Sequence, residues 1–132
     1  MAEAAAEALA ERGVRDITML NASVTDVSFI IAEIFRHRGL VIAAPTYSDG
    51  LFPPVAAVMD AIAVRGVKNR EVALIGSYTW APQAIKVMTQ RIEACGLTNV
   101  AAPVSIKQSA TGDDLTICRE AAAILARKLT AE

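Results

Sequence analysis

Leu40-Val41-Ile42-Ala43-Ala44 is an unbroken apolar run, and Pro45-Thr46-Tyr47-Ser48-Asp49-Gly50-Leu51-Phe52-Pro53-Pro54 follows it directly. Five apolar residues bounded by turn chemistry read as a strand covered on both faces, because a strand exposed on one side alternates apolar with polar residues. Two prolines close the loop, and proline suits the first turn of a helix, where its missing N–H leaves no bond unmade. The next residues carry a helix to about Val64, with Gly66 just past its end. Strand, loop and helix in that order form the repeating unit of a parallel α/β sheet.

The pattern extends in both directions. Upstream, Thr25 and Asp26 are N-cap types ahead of Val27, Phe29, Ile30, Ile31, Ile34 and Phe35, a helix closed by the basic turn Arg36-His37-Arg38 and Gly39. Before it, residues 14–20 alternate as a half-covered strand would, and residues 2–12 form a first helix that stops at Gly13. Downstream, residues 71–76 read as a strand, and Pro82 starts a helix whose apolar face is Ala84, Ile85, Val87, Met88 and Ile92, ended by Gly96. Residues 100–106 are the last strand. Thr111 to Asp114 then cap a final helix with Leu115, Cys118, Ala122, Leu125 and Leu129 at three- and four-residue spacing. The expectation is five helices and four strands joined by right-handed crossovers, an α/β sandwich with helices on both faces of one parallel sheet.

Length and composition agree with one such domain over residues 1–132, with no repeat, linker or long charge run inside it. Thirteen Lys and Arg against fourteen Asp and Glu leave a net charge of −1, with the basic residues scattered. A nucleic-acid partner is not expected. Glu3, Glu7 and Glu11 with no basic residue among the first eleven argue against a secretory or transit leader, and no apolar run reaches the ~18 residues of a membrane span. Two cysteines without metal-ligand spacing read as free thiols, so a cytoplasmic protein is expected, with no metal site and no catalytic residues of its own.

In a parallel sheet, ligands bind beyond the carboxyl ends of the strands. Two loops there are unusual: residues 45–54, and Gly76-Ser77-Tyr78-Thr79-Trp80-Ala81-Pro82. Four of the six aromatic residues, Tyr47, Phe52, Tyr78 and Trp80, lie in these loops. Asp49 is their single formal charge, while Thr46, Ser48, Ser77 and Thr79 add hydroxyls. Aromatic faces with neutral donors suit an uncharged, planar heteroaromatic ligand. The plainer reading is two Pro/Gly turns whose aromatics cover the sheet edge.

Residues 43–55, then Leu74-Ile75-Gly76-Ser77-Tyr78-Thr79-Trp80, then Pro103-Val104-Ser105-Ile106-Lys107, resemble the C-terminal flavodoxin-like domain of flavodiiron proteins, the A-type flavoproteins. The resemblance covers nearly the whole chain. It implies a flavodoxin-like three-layer αβα sandwich that binds FMN, with Pro45, Thr46, Tyr47, Ser48, Asp49, Gly50 and Phe52 in one flavin loop and Ser77, Tyr78, Thr79, Trp80 and Gln83 in the next. It also implies an oxidoreductase role: electrons pass from a reductase or rubredoxin-like donor, through flavin, to a diiron centre on another domain. The alternative is a flavodoxin-like scaffold or interaction module that holds no flavin. In the family the loop after the tryptophan continues with glycines, whereas Ala81, Pro82 and Gln83 stand here.

A second departure concerns the start. The family's domain opens with a strand and a phosphate loop, and the helix after that loop resembles residues 1–9. Five helices against four strands say the same without the family. In the flavodoxin order 2-1-3-4-5 the absent strand is interior, so the chain is expected to bind FMN more weakly than one extended upstream, or to pair its open sheet with another chain as a homo-oligomer.

The remaining candidates read as structural. His37 ends a helix between Arg36 and Arg38 and has no nucleophile to serve. Asp49 has no partner carboxylate. Cys95 and Cys118 are core thiols, and Arg65, Lys68 and Arg70 make a solvated turn at the edge opposite the flavin loops, with an electron-partner patch as the alternative.

Overall fold

The computed structural model of the chain describes residues 1–47 and 50–130. In order these form α1 (Ala2–Glu11), α2 (Val27–Arg36), β1 (Gly39–Tyr47), β2 (Gly50–Leu51), α3 (Pro53–Arg65), β3 (Glu71–Tyr78), α4 (Gln83–Ala94), β4 (Thr98–Asn99), β5 (Val104–Lys107) and α5 (Gly112–Thr130).

The helices begin and end where local chemistry directs. Asp26 caps α2 by accepting the Ser28 N–H at 2.9 Å. At α5, the Thr111 N–H donates to Asp114 Oδ2 at 2.9 Å and the Asp114 N–H donates back to Thr111 Oγ1 at 3.3 Å, a reciprocal capping box. Gly66 ends α3 at φ 64°, a left-handed conformation that side chains with a Cβ rarely adopt.

β3 is the axis of the sheet. β1 runs parallel to it on one side, from Gly39 opposite Glu71 to Pro45 opposite Ser77. On the other side β4 pairs with its start and β5 with its end, both parallel. Side chains of β3 alternate between two cores: Val72 and Leu74 join α2, α3 and α4, while Ala73 and Ile75 join α1 and α5. That double coverage is why the strand is apolar at successive positions. A Cβ on Gly76 would stand 2.6 Å from Ile85, so the glycine lets α4 lie close to the end of β3.

Three expectations need correction. Residues 14–20 are not a strand. They run irregularly, and among the described residues their backbone is joined to another segment only by the Val14 N–H donating to Leu9 O at 3.1 Å. The nearest strand edge, that of β1, lies across a cavity of about 1150 Å³, and a strand without a ladder partner has no independent stability. The alternation there is real, but pairing decides the state.

The expected strand 100–106 is broken into β4 and β5, with residues 100–103 unpaired except where the Val100 N–H donates to Val72 O at 3.0 Å. Pro103 has no N–H for the ladder, and pairing resumes at Val104. Finally, β1 runs three residues into the expected loop, and Gly50 and Leu51 fold back on Tyr47 and Thr46 as an antiparallel pair, so the sheet is mainly rather than wholly parallel.

Candidate functional site

Parallel pairing brings the carboxyl ends of β1, β3 and β5 to one edge. There a cavity of about 320 Å³ is lined by Pro45 and Thr46 from β1, by Ser77, Tyr78 and Thr79 from the end of β3, and by Gln108 and Ser109 from the turn after β5. The floor is held by short-range bonds. Gln108 takes a positive φ of 60°, and its N–H donates to Tyr78 O at 2.7 Å, which adds a last rung beyond β5. Thr46 Oγ1 accepts the Ala84 N–H at 3.1 Å. The first turn of α4 has no side-chain cap of its own, so a hydroxyl from another strand fills that role and fixes the end of β1 against α4.

Five expected site residues therefore meet: Pro45, Thr46, Ser77, Tyr78 and Thr79. Others stand apart. Trp80 is 92% exposed on the connection between β3 and α4. Gln83 is the first residue of α4, and its N–H donates to Ala81 O at 2.9 Å. Phe52 precedes α3, accepts the Val55 and Ala56 N–H groups on its carbonyl at 3.0 Å each, and packs against the core of α2, α3 and α4. Gly50 belongs to the β2 pair. Ser48, Asp49 and the side chain of Tyr47 lie outside the described residues. Gln108 and Ser109 were not anticipated, although the rule that directs attention to strand ends applies equally to the third strand.

The lining is uncharged: hydroxyls, one amide and backbone groups beside a tyrosine. Such a set orients a neutral ligand by its heteroatoms. Residues outside the cleft have structural roles. His37 Nδ1 is 2.8 Å from Glu33 O, and its Nε2 is 3.4 Å from Asp16. Arg70 donates to Ile34 O at 3.1 Å, Phe35 O at 3.3 Å and Lys68 O at 2.6 Å, tying the last turn of α2 to the strand that follows. Cys118 is fully buried, and burial pushes its thiol above the ordinary range.

Known proteins resemble this chain in sequence and in fold. A nitric oxide reductase of Moorella thermoacetica is 28% identical over 117 residues, 88% of this chain and 28% of the relative. The anaerobic nitric oxide reductase flavorubredoxin of Escherichia coli strain SMS-3-5 is 24% identical over 129 residues, 97% of this chain and 27% of the relative. Among solved structures, rubredoxin oxygen:oxidoreductase from Desulfovibrio gigas superposes with a TM-score of 0.93 at 25% identity, covering 98% of this chain and 32% of that one. The fold is flavodoxin-like, and the relatives are flavodiiron proteins.

A flavodoxin from the domain Archaea, 19% identical, matches the same flavodoxin-like fold with a TM-score of 0.81 over 97% of this chain and 87% of its own. No protein-family model matches the chain. This flavodoxin-like chain spans under a third of the length of the flavodiiron relatives, so what those larger proteins do does not transfer to it whole. No helix among the described residues is long and apolar enough to cross a membrane.

Proposed function

We infer that residues 1–132 act as one flavin-binding redox domain, with FMN held at the carboxyl edge of the sheet. The observation that carries this reading is the uncharged cleft between the ends of β1, β3 and β5. Its donor set fits the ring end of a flavin, whose heteroatoms need neutral partners. Bound there, the flavin would supply reversible electron transfer, and the chemistry would be its own. Thr46, Ser77 and Thr79 would hold the ring edge by hydroxyl and backbone groups, Gln108 and Ser109 would close the far side, and Tyr78 would cover part of it from water. Trp80, extended from the rim, would fold over the exposed face and exclude solvent by stacking.

The electrons would come from a reductase or rubredoxin-like protein in the cytoplasm and leave for a metal centre on another domain, as the kinship with flavodiiron proteins suggests. Titration with FMN is the test. Quenched flavin fluorescence with a shifted visible band is the expected result, and a spectrum identical to free FMN at saturating protein would replace this reading with that of a scaffold module.

A further inference from the structure

We propose, resting on the flavin reading above, that Gln108 selects the ligand of the cleft, its side-chain amide pairing with the imide edge of the ring. That edge runs carbonyl, N–H, carbonyl, so it calls for an acceptor and a donor side by side. A planar carboxamide carries one of each. Among the described lining residues Gln108 is the one side chain that does so, because the other polar side chains there end in a single hydroxyl.

The backbone of Gln108 points to the same role. Its φ of 60° lies in the left-handed region, which among the described residues one other non-glycine residue, Asn69, shares. Asparagine tolerates that region and glycine enters it without strain, whereas glutamine has no such allowance. The turn itself needs only main chain. The Gln108 N–H closes onto Tyr78 O at 2.7 Å, a bond that glycine would make as well. What glutamine adds is a side chain that makes no hydrogen bond to any described residue and stands on the lining of the cleft. Where an easier residue would build the same turn, the strained one is kept for its side chain.

The neighbouring connection shows why a side chain is needed. Between β3 and α4, Pro82 has no N–H, the Gln83 N–H donates to Ala81 O at 2.9 Å, and the Ala84 N–H donates to Thr46 Oγ1 at 3.1 Å. Three successive positions beside the cleft thus have no main-chain donor left for a ligand. β5 pairs with β3 as far as Lys107 opposite Tyr78, which sets Gln108 just beyond the last pair, on the wall of that same cleft.

The full chain is titrated with FMN and with its N3-methyl derivative, which keeps both carbonyls and loses the N–H. Two variants separate side chain from backbone: Gln108→Met keeps the length without the amide, and Gln108→Gly also releases the backbone. Flavin fluorescence gives the affinities, and thermal denaturation without flavin gives the midpoints. The parent is expected to hold FMN about tenfold more tightly than the N3-methyl form, and both variants to hold the two alike at the weaker affinity. Gln108→Gly should melt no lower than the parent, since it sheds the strain at φ. A preference that survives in either variant would assign the edge to another group, and a loss of binding matched by a lower midpoint would make Gln108 a structural residue. Either result overturns the proposal. Equal affinities in the parent would overturn it while leaving the flavin reading in place, and binding of neither flavin would overturn both.

Discussion

Thr46 sits at the junction of structure and site, since its hydroxyl both lines the cleft and accepts the Ala84 N–H. Thr46→Val keeps the shape and removes the acceptor, leaving a helix-start donor unmade. The expected cost is about 1 kcal/mol, read as a lower denaturation midpoint, together with weaker FMN binding. Trp80 makes the opposite case. With 92% of it in solvent, Trp80→Ala should leave the melting temperature unchanged while weakening FMN by ~1–2 kcal/mol of lost stacking and burial. Unchanged affinity in a variant whose parent binds FMN would remove Trp80 from the site. Cys118 is shut inside the α1–α5 core with its thiol held protonated by burial, so a thiol reagent should leave it unmodified in the native state and label it after unfolding.

Among the elements, the helices were the most legible in the sequence because their signals are local. Asp26, Gly66 and the Thr111–Asp114 pair each mark a boundary by bonds or a backbone angle within a few residues. Strands were less so, since pairing depends on what lies alongside. Residues 14–20 have the alternation of a strand and no strand partner among the described residues, and Pro103 interrupts a stretch whose flanks both pair with β3. The same limit applied to the site. Thr46 and Ser77 were legible from their loops, but that Gln108 and Ser109 join them follows only from β5 lying beside β3. One cap also gives α2 a dependence on pH. The Ser28 hydroxyl, and then its N–H, hold the Asp26 carboxyl below its ordinary 3.8. A depressed carboxyl contributes stability that is full above its unfolded value and is lost as pH falls through the lower folded one. The first turn of α2 should therefore fray in that acid range, visible in the Ser28 amide resonance, and Asp26→Asn should abolish the dependence.

For the whole molecule, the two cores are unequal. α2, α3 and α4 bury large branched and Met side chains, whereas α1 offers Ala4, Ala5, Ala8 and Leu9. Small side chains gain little by burial, so α1 is anchored lightly. Among the described residues, its outer side is fastened by one residue: Arg119 on α5 donates to Glu7 at 3.0 Å and to Glu11 at 2.7 Å. Exposed ion pairs weaken as salt rises, and contacts near 3 Å lose most of their attraction only as the Debye length falls to ~3 Å, near 1 M salt. The expected consequence is that α1 is the first element to leave the rest of the molecule. As salt rises, trypsin should cut after Arg12 and Arg15 well before the remainder unfolds, whereas Arg119→Gln should show that early cleavage already at low salt. Uniform resistance in both conditions would mean that the alanine face of α1 suffices to hold it.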